Sequence, residues 1–294
     1  MSSSEPTIEV VARHPDVVGE CPTWDDALHA LLWTDNRSAR VYRYTPSTKQ
    51  VDTVVKGHAG YAFTLQQDGS LLLFMNNTRI VHVANGDVNT VVDGLLGEER
   101  TRFNDVLVDR RGRVICGVLP SEGVSAGSLY SIGPDRESTK LHGGMMLPNG
   151  MAFSPDDRLL YVADTRGRHV LVFDYDLPSG GIENPRAFAT FDSDDDGAPD
   201  GLTVDAQGGV WVAVTGSWSV SRFEPSGVLE RRVALGARKP TSVGFGGDDM
   251  ATLYVTSSSR ETSAGEELGA EAGALFACTP GARGLAEHRT NWRL

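Results

Sequence analysis

The sequence contains few cysteines and no long apolar run. Three cysteines occur among 294 residues, and no two of them form a Cys-x-x-Cys pair, which disfavours a disulfide framework or a thiolate zinc site. No stretch approaches the roughly 18 uninterrupted apolar residues of a membrane-spanning helix. The first residues lack the basic and apolar segments of a secretory signal. We therefore expect a cytoplasmic protein with no membrane partner.

Basic residues are also in deficit. Lys and Arg number 27 against 39 Asp and Glu, so the formal net charge is −12. Binding to a phosphate backbone needs clustered positive charge, and we expect no nucleic-acid partner. The seven histidines show no His-x-x-x-His spacing, which disfavours a histidine-rich zinc site. No glycine-rich phosphate cradle occurs, so no organic cofactor is expected.

A sustained apolar period of 3.6 residues is absent as well, so the sequence predicts very little helix. Short segments rich in β-branched residues alternate with turn signals, and the 33 glycines and 14 prolines suit a chain with many tight turns. Residues 263–273 are weakly helical in composition, with a long loop as the equal alternative. These features are typical of an all-β protein.

A strand-turn-strand pattern occurs six times, with intervals of 41 to 51 residues between successive turns. A period near this length is typical of a β-propeller with one blade per repeat. We therefore predict a six-bladed β-propeller over residues 1–294, a single domain of four-stranded antiparallel blades around a central channel. Residues 8–12 precede the first repeat and are expected to close the ring by pairing with the last strands. The repeats begin at Glu20, Tyr61, Asn104, Asn149, Asp200 and Thr241.

The residues that open the repeats share one register. In five copies the opening residue lies seven positions before the turn, and in the first copy it lies five before. In a propeller such residues converge on one axial mouth, where Glu20, Asn104, Asn149 and Asp200 form a candidate metal site. Their oxygens suit Ca²⁺, Mg²⁺ or Mn²⁺, and Zn²⁺ less specifically. A single Pro-Asn-Gly or Pro-Asp-Gly is usually a simple turn, but the shared register favours a site.

Four short segments resemble the signatures of the SMP-30/gluconolactonase/luciferin-regenerating enzyme (LRE)-like family. The resemblance covers nearly the whole chain, and the ordered combination is more specific than any one segment. Lys239-Pro240-Thr241 also resembles part of the last blade of that family. The four segments are Gly19-Glu20-Cys21-Pro22, Arg102-Phe103-Asn104-Asp105, Pro148-Asn149-Gly150 and Pro199-Asp200-Gly201.

The resemblance implies a hydrolase that opens sugar lactones or related cyclic esters with one divalent cation, Ca²⁺, Zn²⁺, Mn²⁺ or Mg²⁺. By this similarity Glu20, Asn149 and Asp200 match the metal ligands. Asp200 is the expected general base, since a carboxylate on the metal can reach the attacking water. A small-molecule substrate is the expected partner, and the chain is expected to be a monomer or a small homo-oligomer.

Three further positions match substrate contacts of the family. Arg102 and Asn104 match substrate-binding positions, and Glu122 is a looser match for which an exposed loop carboxylate is the alternative. Cys21 stands where the family usually has glycine, so a thiol beside the metal carboxylate is one interpretation and a small buried side chain the other.

Two other functions remain open on the sequence alone. One is a metal-dependent phosphotriesterase-like esterase of the same fold, which would need a more apolar mouth than a sugar site. Phe63, Met145, Met146 and Trp218 favour it. The other is a metal-binding propeller scaffold without turnover, because the fold alone does not determine activity.

Overall fold

Six four-stranded antiparallel sheets form a β-propeller in the computed structural model. The structure describes residues 7–13, 16–58, 60–119, 126–193 and 197–294, and within these ranges it contains strands, turns and loops but no helix. The predicted fold class is confirmed. Residues 263–273 form a loop with turns, so the long loop, and not the weak helix, is the correct interpretation of that stretch. No helix of the length and apolarity needed to cross a membrane occurs in the described ranges.

Each blade consists of consecutive strands, numbered here in chain order. Blade I has β2 (Gly19–Asp25), β3 (Ala30–Asp35), β4 (Arg40–Thr45) and β5 (Gln50–Lys56); blade II has β6 (Ala62–Leu65), β7 (Leu71–Phe74), β8 (Arg79–Ala84) and β9 (Asp87–Asp93). Blade III has β10 (Phe103–Val108), β11 (Val114–Val118), β12 (Gly127–Ile132) and β13 (Ser138–Met145). Blade IV has β14 (Pro148–Phe153), β15 (Leu159–Asp164), β16 (His169–Asp176) and β17 (Gly181–Thr190). Blade V has β18 (Ala198–Val204), β19 (Val210–Thr215), β20 (Ser219–Phe223) and β21 (Leu229–Ala234); blade VI has β22 (Pro240–Gly246), β23 (Thr252–Ser257), β24 (Leu275–Cys278) and β1 (Glu9–Ala12).

The N-terminal strand closes the ring as predicted. β1 is the outermost strand of blade VI and pairs antiparallel with β24, with Glu9 opposite Ala277 and Val10 opposite Phe276. This pairing covers an edge of β24 that would otherwise expose unpaired backbone groups. Blade VI therefore joins the first strand of the chain to its last three strands in one sheet.

Apolar side chains fill the spaces between neighbouring blades. The rings of Trp211 and Phe245 lie 6.0 Å apart between blades V and VI, and those of Phe74 and Phe103 lie 5.2 Å apart between blades II and III. Edge-on contacts of this kind suit the quadrupoles of aromatic rings. The packing holds the inner strands β2, β6, β10, β14, β18 and β22 side by side around the channel.

Aspartates fix the turns at the end of the inner strands opposite the mouth. The Oδ1 atoms of Asp109 and Asp205 accept hydrogen bonds from the backbone N–H two residues on, at 2.8 and 3.0 Å. Asp25 and Asp68 make the same bond at 3.0 and 2.9 Å. Such Asx turns fix the turn that follows the inner strand in these four repeats.

The part of the chain after β24, called here the C-terminal segment, crosses the channel at the end opposite the mouth. Gln66 donates to the carbonyl of Trp292 at 3.1 Å, and the indole of Trp292 donates to Gly112 O at 3.2 Å. Glu287 of this segment shares a cavity of about 60 Å³ with Cys21 and with Asp105 of β10. The segment therefore partly fills the channel from the end opposite the mouth.

Candidate metal centre

The residues that open the repeats meet at one end of the channel, as the register predicted. Hydrogen bonds connect them across blade boundaries. Asn149 donates to Asp200 of the next blade, Asn104 donates to Pro148 O at 3.1 Å, and Thr241 donates to Gly19 O at 2.5 Å. Glu20 and Asp200 line one mouth cavity of about 330 Å³. These contacts bring the predicted metal ligands of blades I, IV and V together.

A β-bulge occurs at the mouth end of every inner strand except β6. In β14 the pairing shifts between Pro148 and Met151, and in β18 it shifts between Pro199 and Leu202, so each strand carries one residue more than its partner. A bulge bends the strand and re-aims a side chain. The bulged stretches contain Asn149 in β14 and Asp200 in β18, as well as Asn104 in β10.

The glycines of the Pro-X-Gly motifs allow neighbouring inner strands to approach each other. A Cβ atom at Gly150 would collide with the backbone of Asp200 and Leu202, and one at Gly201 would collide with Ser242. Only glycine fits such a close approach without displacing the neighbour. The motif therefore brings the side chain between Pro and Gly close to the next blade.

The side-chain amide of Asn149 is held through its nitrogen atom only. Its Nδ2 atom donates to Thr165 Oγ1 at 3.0 Å and to Asp200 Oδ1, while its Oδ1 atom accepts no hydrogen bond from the described residues. Asn149 is only 7% exposed. The oxygen is not among the fully buried polar atoms of the described residues, so it opens to the mouth and can bind a divalent cation.

The two carboxylates lack compensating partners. Asp200 is 8% exposed and accepts a side-chain hydrogen bond from Asn149 alone, and half-buried Glu20 has no hydrogen bond or ion pair among the described residues. Burial raises the pKa of both groups well above the usual range, and the charge of Asp105 raises both further. Asp200 in turn raises the pKa of Glu20. Close carboxylates of this kind either hold protons or bind a cation.

The donor set therefore fits a hard divalent cation. It offers two carboxylates and one amide oxygen, all converging from different blades, as oxygen-loving cations require. Nowhere among the described residues do three or more His, Cys, Asp or Glu side chains form a group suited to a metal. A cation at the mouth would therefore depend on the oxygen of Asn149 as well as on the acids.

Arg102 and Asn104 lie beside this donor set. The guanidinium carbon of Arg102 lies 3.9 Å from the ring centroid of Tyr61, a cation–π contact. Its Nη1 atom donates to Asn104 Oδ1 at 3.4 Å, and the Tyr61 hydroxyl donates to Asn76 at 3.0 Å. The positive charge of Arg102 lowers the pKa of Glu20, so its influence reaches the predicted metal site.

Cys21 is a neutral thiol in a strained backbone position. Its φ angle is +54°, in the left-handed region that favours glycine, which explains the glycine of the family at this position. The thiol approaches Phe63 O at 3.5 Å and packs beside an apolar cluster between blades I and II. Burial raises the pKa of the thiol. These observations favour a small packed side chain over a thiolate.

No role was predicted from the sequence for two residues that lie in the site. Thr165 orients Asn149 from the β15–β16 loop. Asp105 follows Asn104 on β10, and burial raises its pKa to about 6. The sequence places Thr165 directly after β15, between the Asp and Arg that also occur at residues 35 and 37 of blade I, but this pattern does not specify the threonine.

Some of the residues predicted to line the mouth do not do so, and one of the predicted residues has no described position. Glu122 falls outside the described residues. Phe63 and Met145 are each 2% exposed and belong to apolar clusters between blades, so the prediction that they line the mouth was wrong. Met146 is 51% exposed beside Arg102, and half-buried Trp218 lies in the β19–β20 loop. The mouth is therefore less apolar than the sequence suggested.

The fold and the mouth define a six-bladed propeller with a cluster of oxygen donors on its axis. The model of the SMP-30/Gluconolactonase/LRE-like region matches residues 18–259. The chain belongs to this family, which confirms the resemblance found in the sequence.

Curated relatives align over almost the full length of the chain. Pentonolactonase XacC of Haloferax volcanii is 36% identical over 282 residues, covering 94% of this chain and 96% of the relative. The 6-deoxy-6-sulfogluconolactonase of Pseudomonas putida is 33% identical over 286 residues, covering 96% and 97%. Regucalcin of Bos taurus is 33% identical over 258 residues, covering 85% and 86%.

Solved structures show the same architecture. A luciferin-regenerating enzyme superposes with a TM-score of 0.88 at 25% identity and covers 97% of this chain and 99% of its own. Regucalcin of Agrobacterium tumefaciens superposes with a TM-score of 0.86 at 22% identity, covering 99% and 98%. The second likeness concerns the fold alone.

Proposed function

We propose that this chain is a divalent-metal-dependent hydrolase that opens a lactone, either a sugar lactone or a related cyclic ester. The observation that carries the proposal is the convergence of Glu20, Asn149 and Asp200 at one mouth, where neither Glu20 nor the Oδ1 atom of Asn149 accepts a hydrogen bond from the described residues. Relatives that are named pentonolactonase and 6-deoxy-6-sulfogluconolactonase support lactones as the substrate class. The proposed substrate is a small molecule that enters at the mouth of the channel.

Glu20, Asn149 and Asp200 would hold the cation. When bound there, a divalent cation supplies a Lewis acid that polarises the lactone carbonyl and acidifies water. Asp200, which accepts a hydrogen bond from Asn149 and would help to hold the cation, would also act as general base and take a proton from the attacking water. The proton later passes to the ring oxygen as the ester C–O bond breaks, so the product is a hydroxy acid.

Arg102 and Asn104 would orient the lactone. The guanidinium of Arg102 is fixed over Tyr61, and Asn104 is fixed by its bond to Pro148 O. Both side chains retain donors that can bind hydroxyl or carboxylate oxygens of the substrate. Holding the ester in one orientation lowers the entropic part of the barrier. Glu122 remains a predicted substrate contact on the family resemblance alone.

Asp200→Asn provides the decisive test. A panel of γ- and δ-lactones, sugar-derived and alkyl, is assayed with the wild type, after EDTA treatment and after addition of Ca²⁺, Mn²⁺, Zn²⁺ or Mg²⁺. We expect turnover that EDTA removes and a cation restores, and loss of turnover in Asp200→Asn with an unchanged circular dichroism spectrum. Metal-independent turnover, or none with any lactone, overturns the proposal. Faster hydrolysis of phosphotriesters than of lactones would favour the esterase alternative.

A further inference from the structure

We propose that the preferred substrate is a lactone with an anionic group remote from its ester, a carboxylate, sulfonate or phosphate, bound by arginines at the mouth. The inference rests on the proposed function and names the substrate class of that site. The five side chains concerned, called here the mouth arginines, come from loops at the mouth end of blades I to IV and VI. They are Arg37, Arg100, Arg102, Arg166 and Arg260.

Three of the mouth arginines line one cavity beside the metal centre. It measures about 350 Å³ and includes Arg100, Arg102 and Arg166, together with the amide side chains of Asn76 and Asn77. Guanidinium groups bind carboxylates, sulfonates and phosphates with paired N–H donors, and the amides add further donors. The cavity is therefore lined for an anion with several oxygens.

The other two mouth arginines lie within electrostatic reach of Arg102. The charges of Arg37 and Arg260 both lower the pKa of Arg102, after the larger effect of its burial. Arg260 also lines the mouth cavity that contains Glu20 and Asp200. The positive charges thus extend from the cavity of about 350 Å³ to the predicted cation site.

None of the mouth arginines forms an ion pair with a carboxylate of the described residues. Arg102 is half-buried and the other four are exposed. More deeply buried arginines of the chain are paired: Arg113 lies 2.6 Å from Asp109, and Arg222 lies 2.7 Å from Asp205. Two acids near Arg100 in the chain are engaged by other groups, since Tyr130 donates to Glu98 at 2.7 Å and Gly97 N donates to Glu99 at 2.9 Å.

Five arginines at the mouth without an ion pair to a described carboxylate contrast with the net charge of −12 of the chain. Glu20 and Asp200 could offset part of it, but a divalent cation would cancel their two charges. The metal-loaded mouth would then present mainly guanidinium charge, and such a cleft concentrates anions and raises their rate of association. A neutral sugar lactone would offer these guanidinium groups no opposite charge.

The loops that carry Arg37 and Arg166 are built in the same way. In blade I the N–H of Ser38 donates to Asp35 Oδ1 at 3.3 Å, and in blade IV the N–H of Gly167, likewise three residues on, donates to Asp164 Oδ1 at 3.0 Å. An aspartate thus caps both turns. Arg37 and Arg166 therefore occupy the same position of the repeat in two blades. Hydrogen bonds within the protein order both loops, without help from a substrate.

Matched lactones test the inference. The metal-loaded wild type is assayed for kcat/KM with D-glucono-1,5-lactone, its 6-phosphate, its 6-sulfonate analogue and D-glucaro-1,5-lactone. We expect at least one anionic lactone to exceed the neutral one by roughly tenfold to hundredfold, as one or two charge-assisted hydrogen bonds predict. The advantage should shrink as salt rises. The three anions show which headgroup the mouth prefers.

Arginine variants identify the side chains responsible. We expect Arg166→Gln and Arg100→Gln to reduce the anionic preference roughly tenfold, mainly through KM. Arg111→Gln is the matched control, because Arg111 is an exposed arginine in the β10–β11 turn at the opposite end of the channel. It should leave the preference unchanged. Equal kcat/KM values for neutral and anionic lactones, with no effect of Arg166→Gln, overturn the inference while the proposed function stands.

A binding measurement separates the two possible failures. Calorimetric titration of the metal-loaded protein with 6-phospho-D-gluconate and with D-gluconate needs no turnover. If no lactone is hydrolysed but the phosphorylated acid still binds more tightly, and Arg166→Gln removes this difference, the proposed function fails and the anion site stands. Equal binding of the two acids by the wild type overturns the anion site.

Discussion

Asn149 donates a hydrogen bond from its side-chain amide to the carboxylate of Asp200, which occupies the same position of the next blade. The same nitrogen also donates to Thr165 Oγ1 at 3.0 Å. The two acceptors fix which end of the amide is the oxygen, and that oxygen remains without a donor among the described residues. Two predicted metal ligands and one supporting hydroxyl therefore form a single hydrogen-bonded unit.

Replacing Thr165 should weaken metal binding without unfolding the chain. Thr165→Val keeps the shape of the side chain but removes the hydroxyl that accepts from Asn149, so only Asp200 still holds the amide nitrogen and the amide oxygen is oriented less firmly. Loss of such a supporting contact typically lowers metal affinity by about 10–100-fold. Calorimetric titration with Ca²⁺, Mn²⁺ and Zn²⁺ measures the change. Thr165→Ser retains a hydroxyl and should bind nearly as well as the wild type; equal affinity of Thr165→Val would contradict the assigned role.

The sequence could predict the positions of Asn149 and Asp200 because both depend on local features. Each lies in a Pro-X-Gly segment at a fixed distance from a turn, and the repeat period brings such segments to one end of the channel. Thr165 was not found, because its role depends on how closely the β15–β16 loop approaches the inner strand of its own blade. Phe63 was placed wrongly because alternation along an inner strand does not reveal which side chains enter the space between blades.

Metal binding should release protons. Burial and mutual repulsion raise the pKa values of Glu20 and Asp200, so protons compete with the cation for these oxygens. In the metal-free protein, Glu20 and Asp200 keep their protons to a higher pH in the folded state than in the unfolded chain, where such groups ionise near pH 4. The free energy of unfolding of the metal-free protein therefore falls as the pH rises above about 4. We expect metal affinity, and the metal-induced increase in Tm, to grow with pH.

Calorimetry in buffers of different ionisation enthalpy measures the protons released per cation bound. The number should be positive in mildly acidic solution and should decline as pH rises and the two carboxyls ionise by themselves. Asp200→Asn removes one of the two groups and should reduce the number. An affinity that is constant between about pH 5 and 8 would rule out this linkage.

Asp105→Asn should stabilise the metal-free protein at neutral pH. Burial raises the pKa of Asp105 to about 6, and its charge raises the pKa values of Glu20 and Asp200. An acid whose pKa is raised on folding reduces stability as pH climbs from its unfolded value, about 3.9, to its folded one. The variant should therefore have a higher Tm than the wild type near pH 7, with a smaller difference near pH 4.

Metal-free protein is used for this comparison, in thermal unfolding at a series of pH values. Asp52→Asn is a suitable control, since Asp52 is half-exposed on β5 and pairs with Arg43. It should show no comparable gain at neutral pH. A Tm for Asp105→Asn that is lower than that of the wild type at every pH would mean that the carboxylate stabilises the channel.

Cys21 should tolerate glycine better than alanine. With φ at +54°, an L-residue at this position carries about 1–2 kcal/mol of backbone strain that glycine does not. In an ordinary strand glycine is the less stable of the two, so the usual order should be reversed, with Cys21→Gly more stable than Cys21→Ala by about 1 kcal/mol. Urea unfolding of the metal-loaded variants measures this difference. Because burial raises the pKa of the thiol and keeps it protonated, both variants should retain lactone hydrolysis, and loss of turnover in both would instead assign the sulfur a part in the chemistry.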